Sequence, residues 1–437
     1  MEKTASIPQQ SAVVSTTPPT DESADDSIEF TIRAPFDDFP DGGRDAWLCV
    51  FGGFLAMFCC FGLLNCAGVF LEYYVQGPLA AAGPSNASWI TSIQIAIQTG
   101  SAILWGRLFD AYGPRRLIFI GSIVYCFGLM MLSLSTHYYQ FFLSQSIVAA
   151  AASGAIFNAS MSSVATWFFK RRAAAFGIMN AGSSLGGVCL PIMMNHLFRQ
   201  IGFPWTIRVL GFLFLAMCGV ASMTIKSRLP PRRTPFLLND YIRPFQDLPM
   251  VLTMLGGFFF FWGMFLPLSY IILQGQSAGM STTLAEYLLP ILNAVSIVGR
   301  VVSGFAADRI GRYNAIILVA FLSGAFTIAL WIPAKTSATI IAYGVLFGFA
   351  SGGFIPLVPS CIAQISDIKE IGTRTGTASF LQAFGALSGS PIGGALIDQM
   401  HGSYLGLQLF CGLSMLVSVL FYGAARYVQA GFRVERV

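Results

Sequence analysis

Apolar and polar residues alternate along this chain on one length scale. Runs of about 20 apolar residues, enough for a helix to cross the hydrocarbon of a bilayer, are separated by short polar breaks. The pattern predicts twelve membrane helices, over 47–71, 88–109, 117–135, 138–162, 173–197, 204–225, 248–273, 286–306, 313–333, 338–362, 375–398 and 403–427. The boundary between the fourth and fifth is the softest, because 158–166 is Ser-rich, and Pro267 is expected to bend the seventh. Residues 1–45 break the pattern. They hold half of the twenty acids among Ser, Thr and Pro, a composition too polar to offset chain entropy by burial, so they read as a disordered acidic cytoplasmic tail. They also lack the short apolar core and cleavage site of a secretory signal.

Composition narrows the class. The 437 residues are 55% hydrophobic and 10% charged, where a soluble protein carries roughly 25% charged residues, and the mean hydropathy is +0.68. The nine cysteines stand mostly inside apolar runs without Cys-x-x-Cys or Cys/His spacing, so they read as small hydrophobes with no disulfide framework and no metal site. His137, His196 and His401 are too dispersed for a membrane-embedded metalloenzyme. No glycine-rich phosphate loop supports ATP-driven pumping. The expectation is a protein that is no enzyme, needs no cofactor or nucleic acid, and works as a monomer in a lipid bilayer on a small-molecule substrate.

Charge placement gives orientation. With a cytoplasmic N-terminus, the inside segments take all but four of the 25 Lys and Arg; Arg199, Arg208 and Lys335 fall outside, and Arg300 falls within a span. This is the positive-inside asymmetry. It predicts that both termini are cytoplasmic, in a multi-pass protein expected at the plasma membrane, and that the cluster Lys170, Arg171, Arg172 holds one loop inside.

An internal repeat then divides the chain. GRLFDAYGPRR begins at Gly106 and GFAADRIGRYN at Gly304, 198 residues later. Gly106 aligns with Gly304, Asp110 with Asp308 and Gly113 with Gly311, while Arg115 and Arg116 answer Arg309 and Arg312 approximately. Two six-helix bundles follow, 46–225 and 247–428, joined by a basic cytoplasmic linker at 226–246 and ending in a short cytoplasmic tail at 429–437. The glycines allow helices to approach closely, and each carboxylate can cap a neighbouring helix or pair with a cation when that side closes. Asp110, Arg115, Arg116, Asp308, Arg309 and Arg312 are therefore candidate gate elements. Duplicated halves suit rocking about a central site better than a permanent pore.

With this Gly-x-x-x-Asp-x-x-Gly loop in both halves, the chain resembles the major facilitator superfamily from residue 41 to 426. The resemblance implies an all-α integral membrane fold, twelve transmembrane helices in two pseudo-symmetric six-helix bundles. Two further motifs resemble the monocarboxylate porter family, its fungal branch in particular. They are DGGRDAW, with Asp41, Gly42, Gly43 and Trp47, and WFFKRRAAAFGIMNAG, with Phe168, Lys170, Arg171, Arg172, Gly177 and Gly182. That branch includes riboflavin and secondary-metabolite carriers besides carboxylate carriers. In its proton-coupled animal relatives the coupling groups are a lysine in the first helix and an aspartate and arginine in the eighth; the matching positions here hold Asn65, Ser296 and Arg300. The resemblance thus implies a secondary carrier that works by alternating access and leans to efflux of a secondary metabolite. Proton-linked uptake of a monocarboxylate or riboflavin-like nutrient is the alternative, and a non-transporting nutrient sensor a remote one. A drug/proton antiporter would carry an arginine in the fourth helix and Gly-Pro in the fifth, where this chain has Gln145 and GSSLGGVCLP.

Candidate substrate contacts come from polar residues inside spans. A cation at mid-membrane costs about 2.5 to 3.5 kcal/mol, so Arg300 must face a cavity or a partner. It either attracts an anionic or strongly polar group of the substrate, or snorkels and bonds backbone carbonyls to fix packing. Asn293, Ser296 and Arg300 share one helical face. Gln94 and Gln98 on the second helix, Gln382 on the eleventh, Asn65 on the first and Asn180 on the fifth are amides that need partners in a bilayer, so they point into the bundle. In GGFFFFWGMF, 256–265, most rings must meet lipid or other helices, which leaves Trp262 and Tyr270 for substrate contact. Asn86-Ala-Ser is a glycosylation sequon in the predicted first outside loop.

Overall fold

The computed structural model describes residues 39–79, 83–228, 230, 239–367 and 370–431. Most of the acidic tail, much of the linker and residues 432–437 lie outside the described residues. The described secondary structure is helical throughout. Helix α1 runs Arg44–Leu64 and, after a break at Asn65 and Cys66, Ala67–Gln76. Helix α2 runs Gly83–Gly100 and Ala102–Tyr112, α3 Pro114–Ser133, and α4 Tyr138–Ala165. The run Arg172–Thr224 is broken at Gly202, whose φ of 74° ahead of Pro204 no helix accommodates, so it holds α5 over 172–201 and α6 over 203–224. The second half contains α7 Leu248–Ser277, α8 Thr282–Ile310, α9 Arg312–Trp331, α10 Ser337–Gln364, α11 Ile371–Gln399 and α12 Leu405–Ala430.

Ten of these runs qualify as membrane spans on length and hydropathy, one of them being the broken run that holds both α5 and α6. Helix α2 is the exception: Ser92, Gln94, Gln98 and Thr99 dilute its middle, and all four are buried against protein rather than exposed to lipid. Eight of the nine cysteines are buried and unpaired, Cys189 alone being exposed, as expected of small apolar side chains.

Packing follows glycines, because helices in lipid gain stability by close backbone approach rather than by hiding apolar surface from water. In α5, a Cβ at Gly182 or Gly186 would strike the carbonyl oxygens of Phe54 and Phe58 on α1. In α11, a Cβ at Gly385 or Gly389 would strike those of Phe258 and Trp262 on α7. The same four-residue spacing on equivalent helices is the pseudo-symmetry that the repeat predicts. Phe260 stacks on Phe354 of α10 at 3.6 Å between centroids, so part of the aromatic run is core packing.

Candidate functional site

The repeated loop motif assembles one seal, at the end of the bundle that carries the basic loops. Gly113 and Gly311 turn the chain between α2 and α3 and between α8 and α9 with φ of 75° and 102°, a conformation that favours glycine. Gly106 packs on the carbonyl oxygen of Gly372 in α11, and Gly304 on that of Ala173 in α5. Reciprocally, Gly376 of α11 packs on Ala102, and Gly177 of α5 on Arg300. The carboxylate of Asp308 accepts from the backbone N–H groups of Ala173 at 3.1 Å and Ala174 at 2.9 Å, capping α5 across the interface. Asp110 sits in the equivalent place, against Gly372 and Thr373 at the start of α11. Each half thus lends a carboxylate to a helix N-terminus of the other.

The basic members divide. Arg312 donates to the carbonyl of Phe169 at 2.5 Å and lies over its ring at 5.7 Å. Arg115 and Arg116 are exposed beside Lys226 and Ser227, and Arg309 is exposed at the end of α8, so these three do not join the seal.

The segments DGGRDAW and WFFKRR, far apart in sequence, form one unit at the same end. Asp41, with φ 47°, accepts through Oδ1 from the N–H groups of Phe169 at 2.7 Å, Lys170 at 2.8 Å and Arg171 at 3.3 Å. Gly43 precedes α1, and Trp47 meets Phe168 edge to face at 5.4 Å. Lys170 and Arg171 are exposed, but Arg172 is 2% exposed: Nε donates to the carbonyl of Phe168 at 2.7 Å and Nη2 to that of Ala165 at 3.2 Å. The cation run therefore has two tasks, solvation by two members and closure of the α4 C-terminus by the third. Replacing Asp41 with Ala frees three donors that water only partly satisfies, at about 1 to 2 kcal/mol. The detergent-purified variant is expected to melt on the order of 2 °C lower, with Asp41→Asn in between.

Midway along the bundle, Arg300 is 4% exposed and faces the other half. It donates to the Asn180 carbonyl at 2.8 Å, to Ser183 Oγ, and through Nε to Ser296 Oγ at 3.3 Å. Ser184 donates to Ser296 at 3.1 Å, a second bond from α5 to α8. Both Ser183 and Ser184 escaped the sequence reading, since serine in a membrane helix ordinarily bonds its own backbone. Arg300, Ser296, Asn293 and Asn65 border one narrow cavity with Phe61 and Phe265. Its free centre is about 20 Å³, space for one or two waters. Asn65 donates to the Ser183 carbonyl at 3.1 Å and Asn293 to that of Leu289 at 3.0 Å.

The remaining amides are buried as expected but serve different neighbours. Gln94 accepts from Gln145 at 2.8 Å, and Gln145 accepts from Tyr74, a network internal to the first half. Gln98 donates to the Cys60 carbonyl at 3.5 Å while its Oε1 has no partner among the described residues. Asn180 donates to the Phe176 carbonyl at 2.9 Å. Gln382 lines a second cavity, with Asn158, Phe157 and Phe261. Tyr270 donates to the Ser390 carbonyl at 3.1 Å and Trp262 packs on Phe410, so the run's rings that border cavities are Phe261 and Phe265 instead. The side chain of Asn86 lies outside the described residues.

A duplicated six-helix bundle sealed at one end around a polar centre is matched by known proteins. The profile of the Major Facilitator Superfamily matches residues 51–340 and 253–433. The chain belongs to that superfamily. It is 44% identical over 90% of its length to MFS-type transporter 1 of an Ophiocordyceps species, covering 88% of that relative. It is 41% identical to the aspyridones efflux protein of Emericella nidulans, covering 92% of this chain and 82% of the other. It is 38% identical to the fujikurins efflux protein of Gibberella fujikuroi, covering 94% and 89%. Among solved structures, the human organic anion transporter MFSD10 superposes with a TM-score of 0.70 at 15% identity, over 87% of this chain and 100% of that one. The fucose:proton symporter FucP in its outward conformation gives 0.67 at 14% identity, over 87% and 99%. These two show the shared fold alone.

Proposed function

We propose that this superfamily member exports an anionic or amphipathic secondary metabolite across the fungal plasma membrane by alternating access, acting as a monomer with Arg300 as the anion site. One observation carries the reading: a guanidinium buried between the two halves is met only by neutral acceptors, Ser296, Ser183 and the Asn180 carbonyl, with no carboxylate beside it among the described residues. A buried cation without a counter-charge is costly, and an anionic solute supplies that charge. The efflux direction is supported by the relatives named for fujikurins and aspyridones export. Assignment to the fungal branch of the monocarboxylate porters rests on the Asp41 and Lys170–Arg172 motifs. The basic end faces the cytoplasm on the positive-inside rule, so the arrangement described is closed on the cytoplasmic side. Asn65 and Ser296 stand where proton-coupled relatives carry ionisable groups, which favours efflux over proton-linked uptake.

Deleting the gene tests direction. The deletion strain is expected to retain its metabolite in the mycelium and lose most of it from the medium, measured by chromatography of both fractions. Unchanged secretion, together with lactate, pyruvate or riboflavin accumulating in cells that express the protein, would contradict export.

A further inference from the structure

The second cavity lies on the α2 and α11 side of the bundle, nearer the basic end, and its polar wall differs in kind from the Arg300 site. Asn158 of α4 and Gln382 of α11 are 1% and 4% exposed. Among the described residues, Asn158 Oδ1 and Gln382 Nε2, an acceptor and a donor, have no hydrogen-bond partner. Thr375 and Ser379 extend the same wall of α11. Burying an amide group unpaired is costly, so two of them on one cavity call for a ligand group or water to satisfy both. Among the described residues no charged side chain lines this cavity, so an anion there would be uncompensated, whereas an uncharged group would not. Phe157 and Phe261 give it apolar ring walls. Of all lining residues only Phe61 and Ile355 border both cavities, so together they form the partition between them.

We infer that the solute is two-headed: an anion at Arg300, an apolar middle passing Phe61 and Ile355, and an uncharged amide, carbonyl or hydroxyl group bonded by Asn158 and Gln382. This rests on the reading of Arg300 as the anion site. Asn158 belongs to the first half and Gln382 to the second, so a group bonded to both ties the halves together while the basic end is closed and is released when they part. Solute occupancy and closure are thereby linked.

Three probes separate the heads, with dissociation constants measured on the full-length purified protein. 8-Benzamidooctanoate has both heads, 10-phenyldecanoate replaces the amide with two methylenes, and N-heptylbenzamide lacks the carboxylate. In the unmodified protein the first is expected to bind about tenfold tighter than the second, although the second is more apolar. Asn158→Leu and Gln382→Leu are expected to bring that ratio to about one while leaving 10-phenyldecanoate unchanged. Arg300→Gln is expected to weaken both acids by one common factor, keep the ratio and leave N-heptylbenzamide unaffected. If the leucine variants do not fold, Asn158→Ser and Ser379→Ala decide, each cutting the ratio about threefold. A ratio unmoved by these substitutions, with Arg300→Gln still weakening both acids, overturns the second subsite and leaves the anion site standing. A ratio that collapses while Arg300→Gln is inert overturns the anion site. Absence of binding by all three probes, or a ratio of one in the unmodified protein, overturns the two-headed solute.

Discussion

Replacing Arg300 with alanine is expected to abolish export, by more than about a hundredfold, while the protein still reaches the membrane. The magnitude follows from what is lost: breaking a buried charged pair by removing one partner costs about 3 to 5 kcal/mol, and each 1.4 kcal/mol is tenfold. The fold survives because the partners left behind are neutral and otherwise occupied. Ser183 also donates to the Asn180 carbonyl at 3.0 Å, and Ser184 still bonds Ser296 at 3.1 Å. Arg300→Lys keeps the charge without the planar fork and is expected to lose roughly tenfold. Efflux from cells matched for surface protein by antibody labelling measures both variants. Undiminished efflux by the alanine variant would reduce Arg300 to a packing residue.

Valine at Gly304 or Gly106 is expected to stop transport for a different reason. The added side chain would stand on the carbonyl oxygen of Ala173 or Gly372, and backbone in a packed helix cannot yield. The basic end is then wedged apart and the cycle halts at one extreme, with transport down on the order of a hundredfold and Arg300 untouched. At Gly219 and Gly423 a Cβ meets nothing within 4 Å among the described residues, so valine there is expected to leave transport unchanged. With Ser379→Cys as reporter in a background where the exposed Cys189 is serine, an impermeant maleimide applied at the basic end is expected to label the wedged variants rapidly and the parent slowly. Equal labelling would mean that these glycines do not seal anything.

The twelve spans were legible because lipid enforces one length and one polarity on every helix that crosses it. The close packing of the two repeated loops was legible for a related reason: each copy supplies a close-approach glycine, a carboxylate at a helix start and a left-handed turn, three features that fix residue types at fixed spacing. The arginines around it were less so. Arg115, Arg116 and Arg309 occupy suggestive positions yet are exposed, whereas Arg312 reaches Phe169. Charge alone does not say which way a long side chain turns. Nor does local pattern reveal partners more than a hundred residues distant. Asp41 and the 169–171 backbone, or Arg300 and Ser183, meet only once α5 lies against α1 and α8. Asn158 stood unremarked as a site within a run of small residues, because the cavity it lines exists only once α11 completes it.

Alternation itself is the claim on which the rest depends, and a distance measured across the basic end tests it most directly. Spin labels at Arg116→Cys and Ile310→Cys, both exposed and one in each half, can be placed in a background where the exposed Cys189 is serine. The unmodified gate is expected to give two distances, one short and one long, and Gly304→Val only the long one. A single distance, identical in both proteins, would contradict a carrier that opens and closes at this end.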